Sequence, residues 1–126
     1  MKLLLAIAAG GAVGAVARYY VTGQVLRLAG TGFPLGTLLV NVLGSFVMGG
    51  LVELMMLRWN IGAEFRSFLT VGVLGAFTTF SAFSLDFAVL VERGALSVAA
   101  LYAVLSVILS IGGLFAGIYL IRGILT

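Results

Sequence analysis

The stretch "GAFTTFSAFS", residues 75–84, lies inside a long apolar run, yet four of its ten residues carry hydroxyls and three are phenylalanine. β-Branched and hydroxyl residues crowd around Phe80 just after Gly72 and Gly75. Such side chains offer the backbone hydrogen bonds that compete with a helical ladder. The stretch therefore predicts a membrane helix broken near mid-membrane. Non-helical backbone at that depth survives only when it is buried in protein or lines a cavity, and its freed carbonyls suit a cation.

Composition fixes the surroundings of this break. Of 126 residues, 63% are hydrophobic and 9% charged, against about one quarter charged in an ordinary soluble domain. The chain is predicted to be an all-α integral membrane protein. Met1 and Lys2 followed by apolar residues from Leu3 to Ala17 resemble the start of a signal peptide, but no small-residue cleavage site precedes a soluble domain. This segment is read as the first span. Cysteine and histidine are absent, which removes the usual ligands for disulfide, haem and transition-metal chemistry. The formal charge is +3, but the seven basic residues are scattered singly rather than gathered into a patch. No nucleic acid partner is expected.

At about 20 apolar residues per crossing, the chain holds four spans, roughly 3–28, 35–57, 68–91 and 95–121, in a single transmembrane domain. Gly30, Gly32 and Pro34 mark the first loop, Arg58, Trp59 and Asn60 the second, and Glu92, Arg93 and Gly94 the third. Gly10 and Gly14, like Gly113 and Gly117, sit four apart and clear a helix face for close backbone approach. Four crossings put Lys2, Arg58, Arg66 and Arg122 on one side and Arg27 and Arg93 on the other. That bias is weak by the positive-inside rule. A chain so poorly biased, with little interior of its own, is expected to form a homodimer whose subunits are antiparallel.

Polar groups at membrane depth are costly and mark functional sites. Thr37, Asn41 and Ser45 are spaced by four in the second span, and Tyr102, Ser106 and Ser110 repeat that spacing in the fourth. Each set forms a stripe on one helix side. Two readings stand at this level: the stripes line a path, or they glue helices together and bond back to their own carbonyls. No carboxylate lies at mid-depth in the first, second or fourth span; Glu53 falls near the end of the second and Asp86 in the latter half of the third. Arg18 occupies the first, where snorkelling or an internal ion pair competes with ligand binding. Hydroxyls and an amide with little negative charge suit an anion better than a cation. Phe80 and Phe83, three apart, share a helix side, as packing residues or as ring edges offered to an anion.

These residues carry a resemblance. "GTLLVNVLGS" (residues 36–45) followed by "GAFTTFSAFS" resembles the Fluc (CrcB) family of small bacterial fluoride channels, and the likeness extends from "GGAVGAVARYY" (residues 10–20) to Tyr102, Ser106 and Ser110. The resemblance implies an antiparallel, dual-topology homodimer in the bacterial inner (plasma) membrane, multi-pass, exporting fluoride passively through two pores for fluoride resistance. It makes Asn41 the pore amide, Phe80 and Phe83 the rings facing fluoride, and Tyr102, Ser106 and Ser110 a polar track. It gives Gly75 and Thr78 backbone carbonyls for a central structural sodium ion (Na+), and it sets Arg18, Thr37, Thr79, Ser81 and Asp86 beside the pore. The partners so implied are fluoride ion, a second copy of the chain and membrane lipid.

The pattern is not matched throughout. Ala76, Ala82 and Asp86 stand where glycine, threonine and glutamate are common in the family. Two other classes share parts of the signature. A small multidrug-type dual-topology transporter has a similar size and span count, but its coupling chemistry wants an acidic residue in the first span, where this chain has Arg18. A structural membrane protein accounts for the glycines and stripes, not for the Asn41 and Phe80 motifs together. No enzyme is expected, since no pairing of nucleophile and base is visible.

Overall fold

The computed structural model describes residues 1–126 and is entirely helical. Helix α1 (Lys2–Ala29) stops at Gly30, whose positive φ of 79° ends the helix while its N–H caps the Leu26 carbonyl. Pro34 then leads into α2 (Leu35–Leu57). A short α3 (Ala63–Ser67) runs into a π-helical segment (Phe68–Leu74) and one turn of helix, α4 (Gly75–Phe77). At Thr78 and Thr79 the backbone turns extended, with φ/ψ of −91°/157° and −155°/120°. Helix α5 (Phe80–Glu92) starts afresh after them, and α6 (Leu96–Leu125) follows a turn at Gly94.

Four helical stretches, Lys2–Ala29, Leu35–Leu57, Ala63–Glu92 and Leu96–Leu125, are long and apolar enough to cross a membrane. They associate through two tight pairs. Helix α2 lies along α6, where Gly49 abuts the Leu114 carbonyl and Gly117 abuts the Phe46 carbonyl. Helix α1 lies along the π-helical segment, so close that a Cβ on Gly72 would sit 2.8 Å from the Gly10 Cα. Gly14 meets the Val73 carbonyl one turn further on. Small residues at spacing four thus allow backbone to touch backbone, which is how helices gain packing energy where water supplies no hydrophobic drive.

The loops meet at opposite ends. Arg93 donates to the Thr31 carbonyl (3.2 Å), joining the α1–α2 loop to the α5–α6 turn. Arg58 donates to the Leu125 carbonyl (2.9 Å), joining the C-terminal ends of α2 and α6. Near that second end the buried Glu53 carboxylate accepts two bonds from Arg122, at 3.3 and 3.2 Å, in the only ion pair of the chain. Only 14 of the 126 residues are buried, and many large apolar side chains are exposed on the single chain, as lipid or a further subunit requires.

Candidate functional site

The break between α4 and α5 is held open from two sides. Continuous helix would give the Gly75 carbonyl the Thr79 N–H and the Ala76 carbonyl the Phe80 N–H. Instead, Asn41 on α2 pairs with the Thr79 backbone: its Oδ1 accepts the Thr79 N–H at 2.7 Å and its Nδ2 donates to the Thr79 carbonyl at 3.0 Å. Arg18 on α1 donates its Nε–H to the Ala76 carbonyl at 3.0 Å. The Thr79 hydroxyl then caps α5 by accepting from the Ala82 N–H (3.1 Å), and Ser81 shares that hydroxyl at 3.2 Å. Thr78 bonds back to the Leu74 carbonyl at 3.0 Å.

This fastening leaves Gly75 and Thr78 with carbonyls whose helical donors are spoken for elsewhere, Thr79 N–H by Asn41 and Ala82 N–H by the Thr79 hydroxyl. No group of three or more His, Cys, Asp or Glu residues that could hold a metal exists in the chain. Carbonyl oxygens are the hard donors a monovalent cation takes in place of hydration water.

Beside the break lies a cavity of about 380 Å³ between α2, α5 and α6. Asn41, Ser45, Thr79, Phe80, Phe83, Ser106 and Ser110 line it, with Thr78, Gly44 and Met48. Its wall holds one amide, several hydroxyls, two phenyl rings and the apolar side chains of Val107, Ile111 and Leu114, and no ionised side chain. The Ser106 hydroxyl is buried and has no hydrogen-bond partner, a state costing about 1–3 kcal/mol unless a ligand or water satisfies it. Phe80 and Phe83 lie side by side, centroids 5.3 Å apart and planes tilted by 46°. Phe80 is 77% exposed in the single chain, whereas Phe83 packs on Tyr102 at 5.1 Å.

Tyr102 belongs elsewhere. Fully buried, it meets Phe33 edge-on at 5.5 Å and donates its hydroxyl to Asp86 at 3.0 Å. Thr37 and Asp86 line a second, larger cavity of about 680 Å³ toward the α1–α2 loop, with Arg27, Arg93, Tyr19 and Tyr20 on its walls. The structure therefore divides each polar stripe. Asn41, Ser45, Ser106 and Ser110 share one chamber, Thr37 and Asp86 border the other, and the Phe83–Tyr102 contact stands between them.

Three relationships escaped sequence reasoning. One is the Ala76 carbonyl as the partner of Arg18, which does not form the internal ion pair weighed for it. Another is the pair of hydrogen bonds between the Asn41 side chain and the Thr79 backbone. The third is the Glu53–Arg122 pair, for which a signal existed: Glu53 continues the α2 series at positions 37, 41, 45 and 49.

These features define a class, the small multi-pass membrane proteins whose helices border a largely apolar cavity that carries a few amide and hydroxyl groups at a helix break. The family model described as CrcB-like protein, Camphor Resistance (CrcB), matches residues 5–118. The chain is 57% identical over 122 residues to a protein of Rhodospirillum centenum named fluoride-specific ion channel FluC, the match covering 97% of each. It is 53% identical over 118 residues to the Agrobacterium fabrum protein of the same name, covering 94% of each. A Chelativorans protein, also so named, is 52% identical over 125 residues, covering 99% of this chain and all of that one. The chain belongs to the CrcB family.

Proposed function

We propose that this protein is a fluoride-selective channel, a conduit and not an enzyme, that lets fluoride leave the cell passively and so confers fluoride resistance. The observation that carries the reading is the chamber at the break, where Asn41, Ser106 and Ser110 gather polar groups beside Phe80 and Phe83 and the Ser106 hydroxyl lacks a partner. The relatives' shared name supplies the ion. Fluoride is small and strongly hydrated, so a pore must replace its water with close donors. Hydroxyl protons, the second Asn41 amide proton and the positive ring edges do this without a fixed charge that would trap the ion. Tyr102, held by Asp86, and Thr37 extend the polar track toward the larger chamber. Arg18, Thr79, Ser81 and Asp86 support the route without ending it.

The working unit is an antiparallel, dual-topology homodimer with two pores in the bacterial inner membrane. The exposed Phe80 and the weak charge bias between the two ends favour this arrangement. At its centre, near mid-membrane, Gly75 and Thr78 carbonyls of both subunits bind one structural sodium ion.

Efflux from proteoliposomes tests the reading, with fluoride and chloride followed by ion-selective electrodes and the potential clamped with valinomycin. Rapid fluoride loss with negligible chloride loss is expected. No fluoride loss from folded protein overturns the channel assignment, and flux and stability unchanged after sodium removal overturn the cation site.

A further inference from the structure

The geometry points to Arg18 as a positioning residue that keeps the α4–α5 break open through one N–H rather than through its charge. Its Nε–H donates to the Ala76 carbonyl at 3.0 Å, and the guanidinium makes no ion pair. In an unbroken helix that carbonyl would accept the Phe80 N–H, which here belongs to the first residue of α5 and has no acceptor within that helix. Arg18 thus occupies the acceptor that would draw Phe80 back into register with α4. Asn41 does the same for the next residue, taking the Thr79 N–H that the Gly75 carbonyl would claim. With Arg18 gone, the Ala76 carbonyl recruits the Phe80 N–H, α4 extends across the break, and the Phe80 ring swings away from the chamber it lines. A residue turns by about 100° for each position added to a helix, so recovering even one bond misplaces the ring.

Side-chain chemistry separates this role from electrostatic attraction of anions. The glutamine amide nitrogen sits at the same chain position as the arginine Nε, carried on Cδ, and keeps an N–H donor there without charge. Lysine has a methylene at that position and places its charge one bond further out. Methionine keeps the length and has neither donor nor charge. The hydrogen-bond role therefore predicts that R18Q works at least as well as R18K and that R18M does not, whereas a charge role puts R18K above R18Q.

The test compares wild type, R18Q, R18K and R18M, each verified as folded protein, for fluoride flux, fluoride-to-chloride ratio and exchange of the Phe80 amide followed by NMR. The flux readout rests on the fluoride-channel reading; the amide readout does not. R18Q is expected within about threefold of wild type in flux, with rapid Phe80 exchange. R18M is expected to lose about tenfold or more in flux and to gain protection at Phe80, the population shift that follows loss of one hydrogen bond. R18K, with its donors displaced by one bond, is expected to do no better than R18Q. Flux preserved in R18K and lost in R18Q overturns the inference in favour of charge. Equal Phe80 exchange in all four proteins overturns it too. Wild type without fluoride flux refutes the channel reading alone and leaves the exchange comparison to decide the role of Arg18.

Discussion

Asn41 and Thr79 face one another through two hydrogen bonds, 2.7 Å from backbone N–H to Oδ1 and 3.0 Å from Nδ2 to backbone carbonyl. The side-chain amide stands in for a neighbouring backbone, satisfying both polar groups of a residue that the helix has abandoned. One Nδ2 proton remains for the chamber. Asn41 thereby holds the break, the proposed function gives it a second use in the ion path, and substitution separates the two.

Asn41→Asp keeps the acceptor for the Thr79 N–H but sets a carboxylate against the Thr79 carbonyl. A part-buried, uncompensated clash of this kind costs about 1–3 kcal/mol. Thermal unfolding in detergent is expected to show that loss near neutral pH, with fluoride flux reduced at least about tenfold by the added negative charge. Acidification protonates the carboxyl and recreates a donor, so part of the stability returns as pH falls. A variant as stable and as conductive as wild type would mean that the Thr79 bonds and the amide matter little.

Ser106→Ala asks whether a polar group in the chamber is glue or ligand. Its hydroxyl is buried without a partner, so removing it forfeits no intramolecular bond and relieves an unsatisfied group. Stability is expected to stay unchanged or to rise by up to about 1 kcal/mol, while fluoride flux falls several-fold. Loss of stability in parallel with flux would reassign the hydroxyl to helix packing.

The aromatic pair divides in a similar way. Phe83 packs on the buried Tyr102, and Phe83→Ile forfeits an aromatic contact of about 0.5–1.5 kcal/mol. Phe80 is largely exposed in the single chain but pairs with the Phe83 ring at 5.3 Å, so Phe80→Ile is expected to cost the subunit no more than that one aromatic contact, about 0.5–1.5 kcal/mol. Both substitutions are expected to impair flux, because isoleucine has no positive edge to offer an anion. Efflux from Phe80→Ile equal to wild type would remove that ring from the conduction path.

Hydropathy alone made the four crossings legible, since charged and turn residues interrupt apolar runs of the right length. The glycine faces were legible too: Gly10, Gly14 and Gly117 lie where backbone meets backbone, and Gly113 approaches the Val42 carbonyl. Crowded hydroxyl and β-branched residues located the break near Thr78 and Thr79. What holds it open was not legible, because Ala76 and Thr79 are engaged through backbone atoms that every residue type possesses. The split of each polar stripe has a geometric cause. Residues four apart drift by about 40° per step around a helix, so Thr37 turns toward one chamber while Asn41 and Ser45 line the other.

The α1 contact and the outer face of α6 make opposite predictions for the same substitution. A Cβ on Gly72 would come within 2.8 Å of both the Gly10 Cα and the Ile7 carbonyl, neither of which can yield without moving a helix. Gly72→Ala is expected to destabilise by about 1–3 kcal/mol or more and to carry the neighbouring break out of position, lowering flux with stability. A Cβ on Gly112 would meet nothing within 4 Å in the single chain, so Gly112→Ala should cost the subunit nothing and gain up to about 1 kcal/mol of helix propensity. Thermal unfolding of both variants at two protein concentrations checks the pair. A loss at Gly112 that deepens on dilution would place that face of α6 against a second subunit, while tolerance at Gly72 would show that α1 and the π-helical segment can part without consequence.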